Sequence, residues 1–167
     1  MDAVALLRTQ ASFAESALAA PVIGQVTQEQ AAWRLAGSTA NTIGQTIFHF
    51  YHTEDRIVHL VAQGKPTVFE VGGWKEKLGV DRETVWTTTT VPDVEQLRAY
   101  ARAVTADSAA YLRAADGADW EREVQGPGGR MMPLASLLSL GLLIHKMAHC
   151  GEIAALLGCQ GVKGLPF

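Results

Sequence analysis

The sequence predicts an all-α fold, a four-helix bundle with a long irregular crossover between its second and third helices. Two observations carry this. Four stretches place apolar residues three and four apart, the spacing of a buried helical stripe. The segment joining the second stretch to the third is long and broken by Pro66 and the pair Gly72-Gly73. The first helix is expected from Asp2, a capping residue, to Ala20, where Pro21 would stop it. Its stripe is Val4, Leu7, Ala11, Ala14 and Leu18. A short helical turn is expected around Thr27 to Leu35, followed by a loop through Gly37 to Asn41.

The second long helix is expected from Thr42 to Gln63, closed by Gly64, with Ile43, Ile47, Phe50, Ile57 and Val61 on one face. In the crossover, Thr67 to Val71 reads as extended and Trp74 to Leu78 as a short helix. The third helix is expected to begin near Pro92, with Asp93 and Glu95 favouring its positive end. Val94, Leu97, Ala101, Val104, Ser108 and Tyr111 form its stripe, and Gly117 ends it. After a loop containing Gly126-Pro127-Gly128-Gly129, the fourth helix runs from Pro133 to Leu157. A long connection of this kind in a small domain is more often functional than idle.

Composition narrows the function classes. The 167 residues make a single domain, 1–167, and 48% are hydrophobic, enough for a core. Charged residues are 19% and the net charge is −3, with no clustered basic face, which argues against a nucleic-acid partner. Two cysteines, Cys150 and Cys159, make neither a disulfide framework nor a CxxC pair. The apolar run from Leu137 to Ile144 is too short to cross a membrane before His145 interrupts it. A cytoplasmic protein with a small-molecule substrate is expected.

The fourth helix carries the chemistry. It is apolar almost all round, so it is buried on several sides. Into it the sequence sets His145, His149 and Glu152, which at ~100° per residue share an arc of roughly 60° with Leu134, Leu138, Gly141 and Leu156. Imidazoles four apart on a helix suit two ligands of one metal. Gly141 on the same face removes bulk and would leave a cavity beside them. The equally plain reading is a pair of satisfied core histidines, and Lys146 stands where a zincin would have its glutamate. A third ligand would come from the second helix, where periodicity favours His49 over His52 only weakly. His52 and His59 share a polar arc with Gln45 and Arg56, expected to face solvent. Glu54 falls within the apolar stripe, so it needs a partner (a histidine, an arginine or a metal shell) unless it is partly exposed.

Asn41-Thr42-Ile43-Gly44 with His49 and the pair Glu54-Asp55 resembles the second helix of the DinB/YfiT-like family of metalloenzymes. His145 to Ile153 is similar to that family's HxxxHxGE signature, and Gly72 to Gly79 and the tail from Gly161 resemble one branch. The resemblance implies up-down-down-up connectivity, frequent homodimers, and a divalent metal, zinc or nickel, held by His49, His145 and His149. It implies thiol-dependent S-transfer of the bacillithiol or mycothiol type, with a low-molecular-weight thiol as co-substrate. The sequence shows no counterpart of the extra C-terminal domain of mycothiol-dependent isomerases, which counts against that reaction. Glu152, one turn beyond His149, is a candidate catalytic acid–base or orienting group, and Glu54 or Asp55 would fix the His49 tautomer. Cys150 reads as a packed residue, Trp74 and Arg130 as pocket walls, and Trp33, Trp86 and Trp120 as packing anchors. Two functions fit these residues: a metal-dependent transferase or hydrolase, or a non-catalytic helical homodimer whose metal only stabilises it.

Overall fold

A computed structural model describes residues 3–165. The four long helices are α1 (3–24), α3 (43–63), α6 Val94–Ala114 and α7 Leu134–Cys159. Between them lie the short helices α2 Gln28–Ala32, α4 Val68–Val71 and α5 Trp74–Leu78, and the strands β1 Glu123–Gln125 and β2 Met131–Pro133. The cap expected at Asp2 lies outside the described residues.

Side-chain contacts fix the direction of each helix. Arg8 donates to the Leu112 carbonyl at 2.9 Å, and Arg98 at the other end of α6 donates to the Ile23 and Val26 carbonyls at 3.1 and 2.6 Å, so α1 and α6 are antiparallel. Tyr100 meets Asp55 at 2.8 Å and His59 lies 3.6 Å from Asp107, so α3 and α6 run parallel. His49 faces His149 while Ile57, further along α3, meets Gly141, which precedes it in α7; these two helices are therefore antiparallel. The connectivity is up-down-down-up.

Three π-helical turns, at Ala14–Ala19, Ile57–Gln63 and Leu140–His145, interrupt the long helices. The first corrects the expectation that Pro21 ends α1: the helix continues to Gly24. A wide turn opens the hydrogen-bond ladder just before the proline, where the missing N–H costs least. It also moves the buried stripe by one position, so that Ala19 is buried and Leu18 only half-buried. At Gly141 the helices touch. A Cβ there would overlap Ile57 Cδ1, so that side chain fills the space the glycine leaves.

The crossover (64–93) is organised by Asp55. Thr67 to Val71 is helical rather than extended. Thr67 and Glu70 make a capping box, and Asp55 Oδ1 and Oδ2 accept from the Val68 and Phe69 amides at 2.9 Å each. Trp74 is buried against Tyr100, with ring centroids 5.3 Å apart, and is a core residue rather than a pocket wall. Gln45, also buried and not solvent-facing, donates to the Val85 carbonyl at 2.7 Å and pins the turn that carries Trp86. Asp93 caps α6 through the Gln96 amide at 2.9 Å, placing Pro92 just outside the helix. The β1–β2 hairpin, antiparallel with Val124 opposite Met132, stands where residue patterning predicts only a loop.

By length and composition alone α7, at 26 residues, is long and apolar enough to cross a membrane, because its apolar character continues past His145. Its buried charge and its packing against α1 and α3 are those of a core helix: Lys146 is 2% exposed and ion-paired inside the bundle.

Candidate metal centre

Of the five histidines in the sequence, three converge. His145 and His149, one turn apart on α7, point their Nε2 atoms at each other across 3.1 Å. His49 on α3 brings its own Nε2 to 3.1 Å from that of His145. The rings meet edge to face at 4.5 to 5.1 Å between centroids. Nitrogen ligands about 2.0–2.1 Å from a tetrahedral ion lie roughly 3.3 Å from one another, so this spacing fits one ion. Tertiary packing thereby chooses His49 over His52.

The protonation states suit ligation. Burial, then His149, hold His49 below the usual histidine value; burial, then His149 and His49, lower His145 to about 4. Both imidazoles are neutral at pH 7. His149 Nδ1 lies 2.7 Å from Glu152 Oε2, a contact that fixes the proton on Nδ1 and turns the Nε2 lone pair inward. Glu152 thus stands where an orienting carboxylate is expected.

Glu54 and Asp55 are committed elsewhere. Glu54 faces Lys146 Nζ at 2.7 Å, and Lys146 reaches Glu15 Oε2 at 2.6 Å, while Tyr51 donates to Glu15 Oε1 at 2.9 Å. Asp55, besides capping α4, accepts from Tyr100 and lies 2.9 Å from His59 Nδ1. Neither carboxylate bonds to His49 among the described residues. The buried partner that the Glu54 position demanded is therefore Lys146. Cys150 is buried, and burial pushes its thiol up to about 11, in keeping with a packed residue.

His52 and His59 are buried, not solvent-facing. His52 Nδ1 sits 3.3 Å from the Tyr100 hydroxyl, and burial, then Arg56 and Arg82, lower its pKa to about 4. In protein stripped of metal, His52 and His145 therefore bind fewer protons folded than unfolded between pH 4 and the usual value of 6.5. Their contribution to stability is complete above about pH 6.5 and is lost as pH falls toward 4. Urea unfolding of chelator-treated protein is expected to show this fall, reduced in His52→Gln; stability rising on acidification through that window would contradict it.

Trp86, expected only to pack, has its ring edge-on to His49, 5.0 Å between centroids, and is 41% exposed on a cleft of about 390 Å³. No periodic signal marks it, because its position depends on the long-range bond from Gln45. Arg130, the other expected wall, is exposed on the hairpin and does not line that cleft.

Fold and site together define a class: a helical bundle whose core helices present three histidines able to hold a metal ion. The model of the DinB superfamily matches residues 12–153, and the chain belongs to that superfamily. Among solved structures it is similar to a conserved protein from Enterococcus faecalis, at TM-score 0.70 and 14% identity, covering 95% of this chain and 99% of that one. No curated protein matches the sequence.

Proposed function

We propose that the protein is a metal-dependent enzyme in which His49, His145 and His149 hold one divalent ion, zinc or nickel. The observation that carries this is the convergence of three Nε2 atoms at 3.1 Å steps, with Glu152 fixing one of the rings. Three imidazole ligands leave at least one coordination position free, as a catalytic site requires. When bound, the ion supplies a nucleophile at neutral pH, lowering the pKa of water to about 7 or favouring a substrate thiolate. We assign the reaction to S-transfer with a low-molecular-weight thiol of the bacillithiol or mycothiol type, or to hydrolysis. Glu152 holds the His149 ring and, being half-buried at the surface of α7, can take up the proton released there. Glu54 is assigned a structural role as counter-charge to Lys146.

A second reading is a non-catalytic dimer whose metal only stabilises the bundle. It draws on Ile144 and Met147, 55% and 44% exposed on α7. Elemental analysis of protein purified without added metal or metal-affinity resin decides the first step. About one divalent ion per chain is expected, lost in His145→Ala and in His149→Ala. Bound metal that survives replacement of all three histidines overturns the assignment. Metal-dependent turnover of a thiol substrate separates the enzyme from the structural dimer, for which metal removal would lower only the melting temperature.

A further inference from the structure

The cleft beside His49 holds two cations with no close counter-ion. His49, His52, Thr53 and Arg56 lie three or four apart on one face of α3, and the turn after α5 brings Arg82 to the same cleft. Among the described residues, neither guanidinium makes a hydrogen bond or an ion pair. Arg98 and Arg122, by contrast, are engaged away from this cleft: Arg98 with carbonyls of α1 and with Glu95, Arg122 with Asp119 and the end of α3. The carboxylate that acts on Arg56, Glu70, spends Oε2 on the Thr67 amide and hydroxyl at 2.8 and 3.0 Å. Burial first, then both arginines, outweigh Glu70 and disfavour a positive charge on His52, so the floor of the cleft is a neutral imidazole beside two guanidinium groups. Trp86 and Pro127 give the cleft apolar walls.

We infer that this cleft is an anion subsite, and that the substrate is a small organic acid whose carboxylate is held by Arg56 and Arg82 while its body lies along Trp86 with the reacting end at His49. The placement of the reacting end rests on the three-histidine reading; the anion subsite rests on the arginines alone. Arg56 lies two helical turns beyond His49, about 10 Å along the axis, which sets the scale of the distance between acid group and reacting atom. Guanidinium–carboxylate pairs are bidentate and charge-assisted, so the acid group would dominate selectivity between substrates of equal length.

The probes are 6-mercaptohexanoate and its neutral counterpart 6-mercapto-1-hexanol, titrated into cobalt-loaded protein and followed by the thiolate–cobalt absorption. The acid is expected to bind on the order of 10- to 100-fold more tightly than the alcohol. In Arg56→Gln/Arg82→Gln that preference should fall to about twofold or less, with the affinity for the alcohol unchanged. Arg82 is exposed, so Arg82→Gln alone leaves the fold intact and should remove part of the preference. Equal binding of acid and alcohol by the unaltered protein, or a preference that survives both arginine replacements, overturns the inference. Hexanoate binding to metal-free protein, read by Trp86 fluorescence against a Trp86→Phe control, separates the two readings. Arginine-dependent hexanoate binding in protein that takes up no cobalt would retain the anion subsite and reject the metal centre. Cobalt uptake without arginine-dependent hexanoate binding would do the reverse.

Discussion

Replacing Lys146 by methionine is expected to cost about 3–5 kcal/mol of stability, because it leaves buried carboxylate without its cation. The ammonium lies 2.6 Å from Glu15 and 2.7 Å from Glu54, and the Lys146 and Glu54 side chains are each 3% exposed. Burial alone would push the lysine toward neutrality; Glu54 and then Glu15 outweigh it and hold the pKa above the usual lysine value. The Tyr51 ring lies 5.1 Å beneath the ammonium, and its hydroxyl completes the network on Glu15. Adding Glu15→Gln and Glu54→Gln to Lys146→Met should recover most of the loss, since neutral amides carry no unpaired charge. Urea unfolding at pH 7 measures both. A loss below about 1 kcal/mol for Lys146→Met would show that the carboxylates are hydrated and not dependent on the lysine.

An effect of similar size, about 4 kcal/mol or more, is expected for Asp55→Ala. One carboxylate, fully buried, accepts from two backbone amides of α4 and from the Tyr100 hydroxyl at 2.8 Å, and lies 2.9 Å from His59 Nδ1. Hydrogen bonds to a charged acceptor contribute roughly 1.5–3 kcal/mol each, and the donors left behind are buried. Burial and then Asp55 raise the Tyr100 pKa, so its hydroxyl stays a donor at any working pH. Since Asp55 ties the start of the crossover to α3, its loss should also speed hydrogen exchange at the Val68 and Phe69 amides. Asp55→Asn, which keeps the shape and half of the acceptors, should cost less. Amides that stay protected in Asp55→Ala would mean that the Thr67–Glu70 capping box holds α4 unaided.

The long helices were legible because their signals are local. Stripe spacing in α6, from Val94 through Ser108, agrees with the burial observed. The same wheel failed in α1, where the π turn at Ala14–Ala19 adds a residue and rotates the rest of the helix by roughly 100°. It failed again for His52, His59 and Gln45, which read as solvent-facing: α3 is covered on that side by the crossover and by α6, and the three polar groups are buried with partners supplied from Tyr100, Asp55 and Val85.

Local information thus determined four helices, the i, i+4 histidine pair on α7 with Glu152 a turn beyond, and the demand that Glu54 find a partner. Each comes from residue spacing along one helix, or from the cost of burying a charge, and needs no knowledge of the segment lying opposite. Only the packing of α3 against α7 brought His49 to the pair, gave Lys146 to Glu54, and filled the space beside Gly141 with Ile57. The bond from Gln45 to Val85 carried Trp86 to the histidines across forty residues of chain. A helix wheel ranks directions around one axis; which neighbour occupies a direction is decided by contacts between segments far apart in sequence.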